Sequence, residues 1–219
     1  VLLFELAAEQ GIKKIVYCSS GGTVYGRKRG LIDEESLPNP FSPYGICKLA
    51  AEYFLNYFHQ RNNIAFDIYR IGNAYGPRQS MKTPQGVIAV WMGNILRDDE
   101  IFVYGDNDAL RDYVYVKDVA LLMTHSLNDI SGSDVYNISS GHGVSILQLL
   151  DIFKSVIDKP FKHTIQPARK FDNPSVILDH SKITSRFPGF KYQELEAGIM
   201  DTWLFVKNNQ NKKLSRVSV

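Results

Sequence analysis

Tyr44 and Lys48 stand four residues apart in the stretch Ser42-Pro43-Tyr44-Gly45-Ile46-Cys47-Lys48. On an α-helix, positions i and i+4 lie one above the other, so phenol and ammonium can share one pocket. A cation beside a phenol favours the phenolate, which makes a base able to work near neutral pH. The spacing by itself equally fits an amphipathic helix with a snorkelling lysine. Upstream, Ser19, Ser20 and Thr23 place three hydroxyls around the pair Gly21-Gly22, where they read either as turn residues or as hydrogen-bonding partners of a base. Cys18 and Cys47 match no metal-ligand spacing, and the five histidines form no local ligand pair, so no metal site is expected. Both cysteines read as free thiols in a reducing, cytoplasmic setting.

Positioning the Tyr/Lys pair calls for a helix on a sheet, and the pattern supplies both. Ser42 is the N-cap candidate and Pro43 suits the first turn of a helix reaching about residue 61. Lys14 to Cys18 reads as a buried parallel strand, and Ile64 to Ile71 as another strand. Further strands are expected at Ile101–Tyr104, Asp112–Val116, Asp134–Ile138 and Ile177-Leu178. Helices are expected at Val1–Gln10, Gln85–Arg97, Val119–Leu127, from Ser145 to about Ile157, near Ser181, and over Glu194–Val206. Strands alternating with helices indicate a parallel sheet covered on both faces. Such a sheet normally opens with a glycine-rich phosphate loop. No G-x-G-x-x-G occurs here, and Gly21-Gly22 is expected to open no helix.

The bulk numbers bound the rest. The 219 residues are 44% hydrophobic and 22% charged, ordinary for a globular domain. A net charge of +2 gives no argument for nucleic acid or a membrane surface. No apolar run is long enough to span a bilayer. The basic stretch 207–219 reads as a disordered tail.

Four more stretches lie in order around Tyr44 and Lys48. They are Tyr17-Cys18-Ser19-Ser20-Gly21-Gly22-Thr23-Val24-Tyr25-Gly26, Arg70-Ile71-Gly72-Asn73-Ala74-Tyr75-Gly76-Pro77-Arg78, Arg111-Asp112-Tyr113-Val114-Tyr115-Val116-Lys117-Asp118-Val119-Ala120, and Arg169 through Lys182. Together they resemble the extended short-chain dehydrogenase/reductase family, nearest to nucleotide-sugar epimerases of the UDP-glucose 4-epimerase type. The resemblance implies an α/β chain: a Rossmann-like doubly wound parallel sheet lacking its N-terminal half, with a smaller C-terminal α/β substrate-binding region. Residues 1–78 would carry the catalytic half of the NAD-binding domain. Residues 79–206 would be mainly the substrate region, with Rossmann elements interleaved near 101–140. Val1 would fall inside a helix, after the glycine fingerprint and first strands of such an enzyme.

By the same resemblance, NAD is the cofactor and a nucleotide sugar, UDP-linked, the substrate. Tyr44 would take the proton from the sugar 4-hydroxyl, and Lys48 would hold the nicotinamide ribose. Gly72 would lie at the cofactor. Many relatives carry a hydroxyl where Gly21 stands, so Ser20 or Thr23 would supply it. Dehydratases of the family carry an Asp-Glu pair where this chain has Gly22 and Thr23, which leaves epimerisation. Asn73, Arg111, Arg169 and Asp172 match residues holding the sugar nucleotide, Arg111 and Arg169 as guanidinium forks on the diphosphate. Arg111 alternatively reads as a surface ion pair with Asp108 or Asp112. Val176 stands where a bulky residue restricts N-acetyl sugars, which implies that an N-acetylhexosamine fits. Another reaction of the family, such as a 4-keto reduction, or a non-catalytic fragment unable to hold NAD, are the alternatives. The helices Val1–Gln10 and Pro43–Arg61 match those through which relatives form a homodimer.

Overall fold

The computed structural model describes residues 1–28, 30–83, 85–105, 109–130, 132–167 and 175–215, with side chains to Asn209. Arg169 and Asp172 lie outside the described residues. In chain order the elements are α1 (Leu2–Glu9), β1 (Lys14–Ser20), α2 (Gly21–Val24), β2 (Leu31–Ile32), α3 (Pro43–Asn62), β3 (Ala65–Ile71), β4 (Asn73–Tyr75) and α4 (Val87–Leu96). They continue with β5 (Ile101–Tyr104), β6 (Arg111–Tyr115), α5 (Val116–Asn128), β7 (Asp134–Ile138), β8 (Gly143–Val144), α6 (Ile146–Val156), β9 (His163–Gln166), β10 (Ile177–Leu178), α7 (Ser181–Arg186) and α8 (Leu195–Ser215).

A parallel sheet in the order β1-β3-β7 carries the Tyr/Lys helix. Its central strand, Ala-Phe-Asp-Ile-Tyr-Arg-Ile, is buried along nearly its whole length, as expected of a strand covered on both faces. Phe66 and Ile68 pack against Phe4 of α1 and Leu55 and Phe58 of α3. Tyr69, Val114, Val119, Leu122, Tyr136, Ile138 and Ile183 form a second cluster with α5 and α7. At the amino ends of the strands, buried Asp67 pairs with Lys14 at 2.7 Å and Arg186 at 3.0 Å, binding β1, β3 and α7 together.

The C-terminal region has its own core. Trp91 of α4, Phe153 of α6 and Trp203 of α8 are buried with Ile101, Val103 and Tyr113. The capping box of Ser145 and Gln148 starts α6, satisfying two backbone groups of its first turn. Strand β6 lies between β4, parallel to it, and β8, antiparallel.

Within 101–140, β7 pairs with β3 in the β1-β3-β7 sheet, while β5 pairs with β9 and β6 with β4 and β8. Three sequence expectations need correction. Gly21-Gly22 does open a helix: α2 is a single turn directly after β1. The expected loop from Gly72 to Thr83 contains β4, held by pairing with β6. Finally, α8 runs on to Ser215, past the expected start of a disordered tail at 207. Lys207 is tied down there by an ion pair with Asp158 at 2.6 Å.

Candidate active site

The N-cap of α3 is built as its sequence implies. Ser42 Oγ accepts the Gly45 amide at 3.1 Å, and Pro43 occupies the first turn. These contacts fix where the helix starts and place Tyr44 and Lys48 on its first two turns. Glycine at position 45 is required: a Cβ there would lie 2.8 Å from the Thr23 carbonyl oxygen and 3.0 Å from Pro40 Cβ. The first turn of α3 therefore lies directly on the backbone of α2.

Tyr44 is 56% exposed. Lys48 Nζ lies 5.6 Å from its ring centroid and 5.1 Å from that of Tyr17. The ammonium donates to the Cys18 carbonyl at 2.8 Å, at the carboxyl end of β1. One of its three N–H donors is thereby used, and two remain. Ligands of open parallel sheets bind outside the carboxyl ends of the strands, and this is that position. Thr23 Oγ1 lies 3.4 Å from the Ser20 carbonyl, a long bond from which the hydroxyl can turn away. The Ser20 side chain makes no hydrogen bond to a described residue.

Gly21 is buried, and its missing side chain is a packing requirement here. A Cβ would collide with Leu178 Cδ1 and approach the Arg70 carbonyl to 3.1 Å. Leu178 belongs to an apolar cluster with Val24, Tyr25, Ile32 and Val176 beneath α2.

Under the Tyr/Lys pair lies a polar network that the sequence reading missed. Glu52, one turn beyond Lys48, is buried. It accepts Ser19 Oγ and Arg70, whose Nη2 stands 2.7 Å away. Arg70 Nη1 donates to Tyr25 Oη at 3.0 Å, and Tyr25 donates to Asn137 Oδ1 at 2.8 Å. The chain of bonds crosses from α3 through β1 and β3 to the end of α2 and on to β7. Burial pushes the Tyr25 phenol up to about 12, in spite of the Arg70 cation beside it. The signal was present as Tyr-x-x-x-Lys-x-x-x-Glu, three chemical groups on one helix face.

The expected substrate residues fall on adjoining segments. Asn73 opens β4 and donates its side-chain amide to the Asp112 carbonyl at 3.0 Å. Arg111 opens β6 and pairs through its backbone with Val176 and Val144. Its guanidinium donates to the Leu110 carbonyl at 3.1 Å and makes no ion pair with Asp112. Asp108 lies outside the described residues. Val176 is 6% exposed, within the cluster beneath α2. Gly72 has a packing reason as well: a Cβ there would collide with Ser139 Oγ. Asn73, Arg111 and Val176 are thus neighbours through β6.

The donor set at Tyr44 and Lys48 suits a ribose: a phenol and a cation with two N–H groups unused face a sugar diol well. Among the described residues, no group of three or more His, Cys, Asp or Glu could hold a metal ion. None of the described helices is long and apolar enough to cross a membrane.

Known proteins resemble this chain in both sequence and fold. Residues 1–139 match the family model described as the NAD dependent epimerase/dehydratase family. A putative UDP-glucose 4-epimerase of Methanocaldococcus jannaschii is 34% identical over 209 residues, covering 94% of this chain and 67% of that protein. The crystal structure of UDP-glucose 4-epimerase from Thermotoga maritima with UDP-glucose superposes with a TM-score of 0.88 at 31% identity, covering 95% of this chain and 68% of that one. The UDP-N-acetylglucosamine 4-epimerase from Methanobrevibacter ruminantium, in complex with UDP-N-acetylmuramic acid, gives 0.87 at 27% identity, with 95% and 67% covered. With its Tyr/Lys pair at the carboxyl end of a parallel sheet, the chain belongs to the NAD dependent epimerase/dehydratase family.

Proposed function

We propose that this protein interconverts nucleotide sugars at C4, with a UDP-hexose or UDP-N-acetylhexosamine as substrate. The observation that carries the reading is the Lys48 ammonium, fixed on the Cys18 carbonyl at 2.8 Å with the Tyr44 ring beside it. Tyr44 takes the proton of the 4-hydroxyl, leaving a 4-keto sugar, and returns it after the sugar has turned over. Lys48 keeps the pair in register and offers its two remaining N–H groups to the nicotinamide ribose. Thr23 or Ser20 supplies a hydroxyl at the same oxygen. NAD, when bound, supplies the acceptor and then the donor of the hydride.

The residues flanking the base favour epimerisation over loss of water. Gly22 and Thr23 offer no acid/base pair. The nearby carboxylate on the Tyr/Lys face, Glu52, is buried and engaged by Ser19 and Arg70. Arg111 and Asn73 hold the diphosphate and adjacent sugar, joined by Arg169 and Asp172. Val176, smaller than a tyrosine and next to Arg111, favours room for an N-acetyl group. Exposed Leu2, Leu3 and Leu6 on α1 and Tyr53, Phe54 and Tyr57 on α3 support the pairing of two copies through these helices.

The test is product analysis on the protein in its full natural length, supplied with NAD. UDP-glucose, UDP-N-acetylglucosamine and UDP-glucuronic acid are offered separately, and the sugar released by mild acid is identified. Conversion of the glucose and N-acetylglucosamine substrates to their C4 epimers supports the reading. Turnover of UDP-glucose with no action on UDP-N-acetylglucosamine removes the part that rests on Val176.

A further inference from the structure

We propose that Asp112 is the positioning residue of the diphosphate site, acting through its neighbour Arg111. The inference rests on the reading of Arg111 as a phosphate contact. Asp112 is 1% exposed. Its Oδ1 accepts the Ser140 amide at 3.0 Å and the Ser140 hydroxyl at 2.7 Å. Its Oδ2 accepts the Gly141 amide at 3.2 Å and the Leu178 amide at 3.1 Å. A carboxylate offers about four lone-pair positions, and these donors fill them.

Two consequences follow from that saturation. The carboxylate draws its hydrogen bonds from neutral donors, and among the described residues the adjacent guanidinium makes no ion pair, its one bond going to the Leu110 carbonyl. Arg111 keeps its fork for an external anion, whereas an Asp–Arg pair would have to be broken before phosphate could bind. The donors also come from the β7–β8 connection and from β10, which are far apart in sequence. Both segments are therefore pinned to β6 at the residue after Arg111. On the backbone side the same residue holds Asn73, through the amide donated to its carbonyl at 3.0 Å. Arg111 is further fixed by its bridge to Val176, two residues before Leu178. The guanidinium thus projects from a backbone fixed on three sides. Such preorganisation lowers the ordering cost of capturing an anion.

Replacing Asp112 by asparagine separates this role from simple support. An amide has one oxygen and would turn its NH2 toward two N–H donors, so the clamp opens while the volume is kept. The experiment is calorimetric titration of UDP into the protein in its full natural length, as parent, Asp112→Asn, Arg111→Gln and the double variant, with bound NAD measured alongside. The expected result is a loss of at least tenfold in UDP affinity for each single variant, unchanged NAD content, and a double variant little weaker than Arg111→Gln alone. Losses that multiply in the double variant, or Asp112→Asn binding UDP like the parent, overturn the positioning role. Unchanged affinity in Arg111→Gln overturns the phosphate reading itself and the proposal with it. Should Asp112→Asn fail to fold, Ser140→Ala removes one donor and enters the same cycle. About threefold weaker UDP binding that disappears in the Arg111→Gln background is then expected, and no change at all overturns the proposal.

Discussion

The Lys48 ammonium stands 5.6 Å from the centroid of the Tyr44 ring, one turn along α3. Its position is not left to side-chain entropy, because the Cys18 carbonyl holds it at 2.8 Å. Lys48→Met removes both the cation and this tether. Turnover should fall by ~10²-fold or more, the scale of acid–base assistance. Circular dichroism should stay close to the parent, since Lys48 is only half-buried. Arginine at the same position should not restore activity, because its planar fork cannot reproduce a compact ammonium on a single carbonyl.

Glu52 and Arg70 make a buried pair at 2.7 Å under the site. Removing one member leaves the other charge buried and unpaired. Glu52→Leu should therefore cost about 3–5 kcal/mol in urea unfolding. Glu52→Leu together with Arg70→Met should recover much of that loss, because the orphaned charge is gone. Equal destabilisation in the single and double variants would show that the pair's charges are not what matters.

The packing requirement at position 21 can be tested by placing a hydroxyl-bearing side chain there. Gly21→Ser should lower the melting temperature, because its Cβ meets Leu178 Cδ1 and the Arg70 carbonyl. Adding Leu178→Ala clears the side-chain collision, though it leaves a cavity of its own. The pair of changes should cost less than the sum of the two singles. Strict additivity would contradict the packing account.

Burial raises the phenols of Tyr25, Tyr69 and Tyr113 to about 12. A group whose folded value is raised contributes stability that is complete below its unfolded value, near 10, and is lost as pH rises toward the folded one. The protein should therefore lose stability steeply between pH 10 and about 12. In a spectrophotometric titration, these phenols should ionise in one step coincident with loss of far-ultraviolet dichroism. Smooth ionisation of all tyrosines near pH 10 with the fold intact would contradict their burial.

The α3 helix was legible because Ser42 caps it and Pro43 opens it, but of the apolar positions that marked it Phe58 is buried while Ile46, Tyr53, Phe54 and Tyr57 are exposed. Strand β1 was legible as a short apolar run, and β3 and β7 as further strands. Local pattern could not show α2, because Gly-Gly has low helix propensity and its turn is held by tertiary contact with α3. The same limit hid β4, whose three residues form a strand only by pairing with β6. The spacing put Glu52 on the Tyr/Lys face, but the hydrogen-bond partners of Glu52 and of Asp112 were invisible. Each carboxylate is held by donors from segments distant in sequence: Ser19 and Arg70 for one, Ser140, Gly141 and Leu178 for the other.

The central claim is that Tyr44 is the base of a C4 epimerase. Tyr44 is 56% exposed, so removing its hydroxyl is expected to leave the core packing unchanged. The measurement is the rate of C4 epimerisation of UDP-glucose by the protein in its full natural length with NAD, parent against Tyr44→Phe. The account predicts an epimerised product from the parent, a fall of ~10²–10⁴-fold in turnover in the variant, and undiminished UDP binding. A variant that epimerises at the parental rate would contradict it.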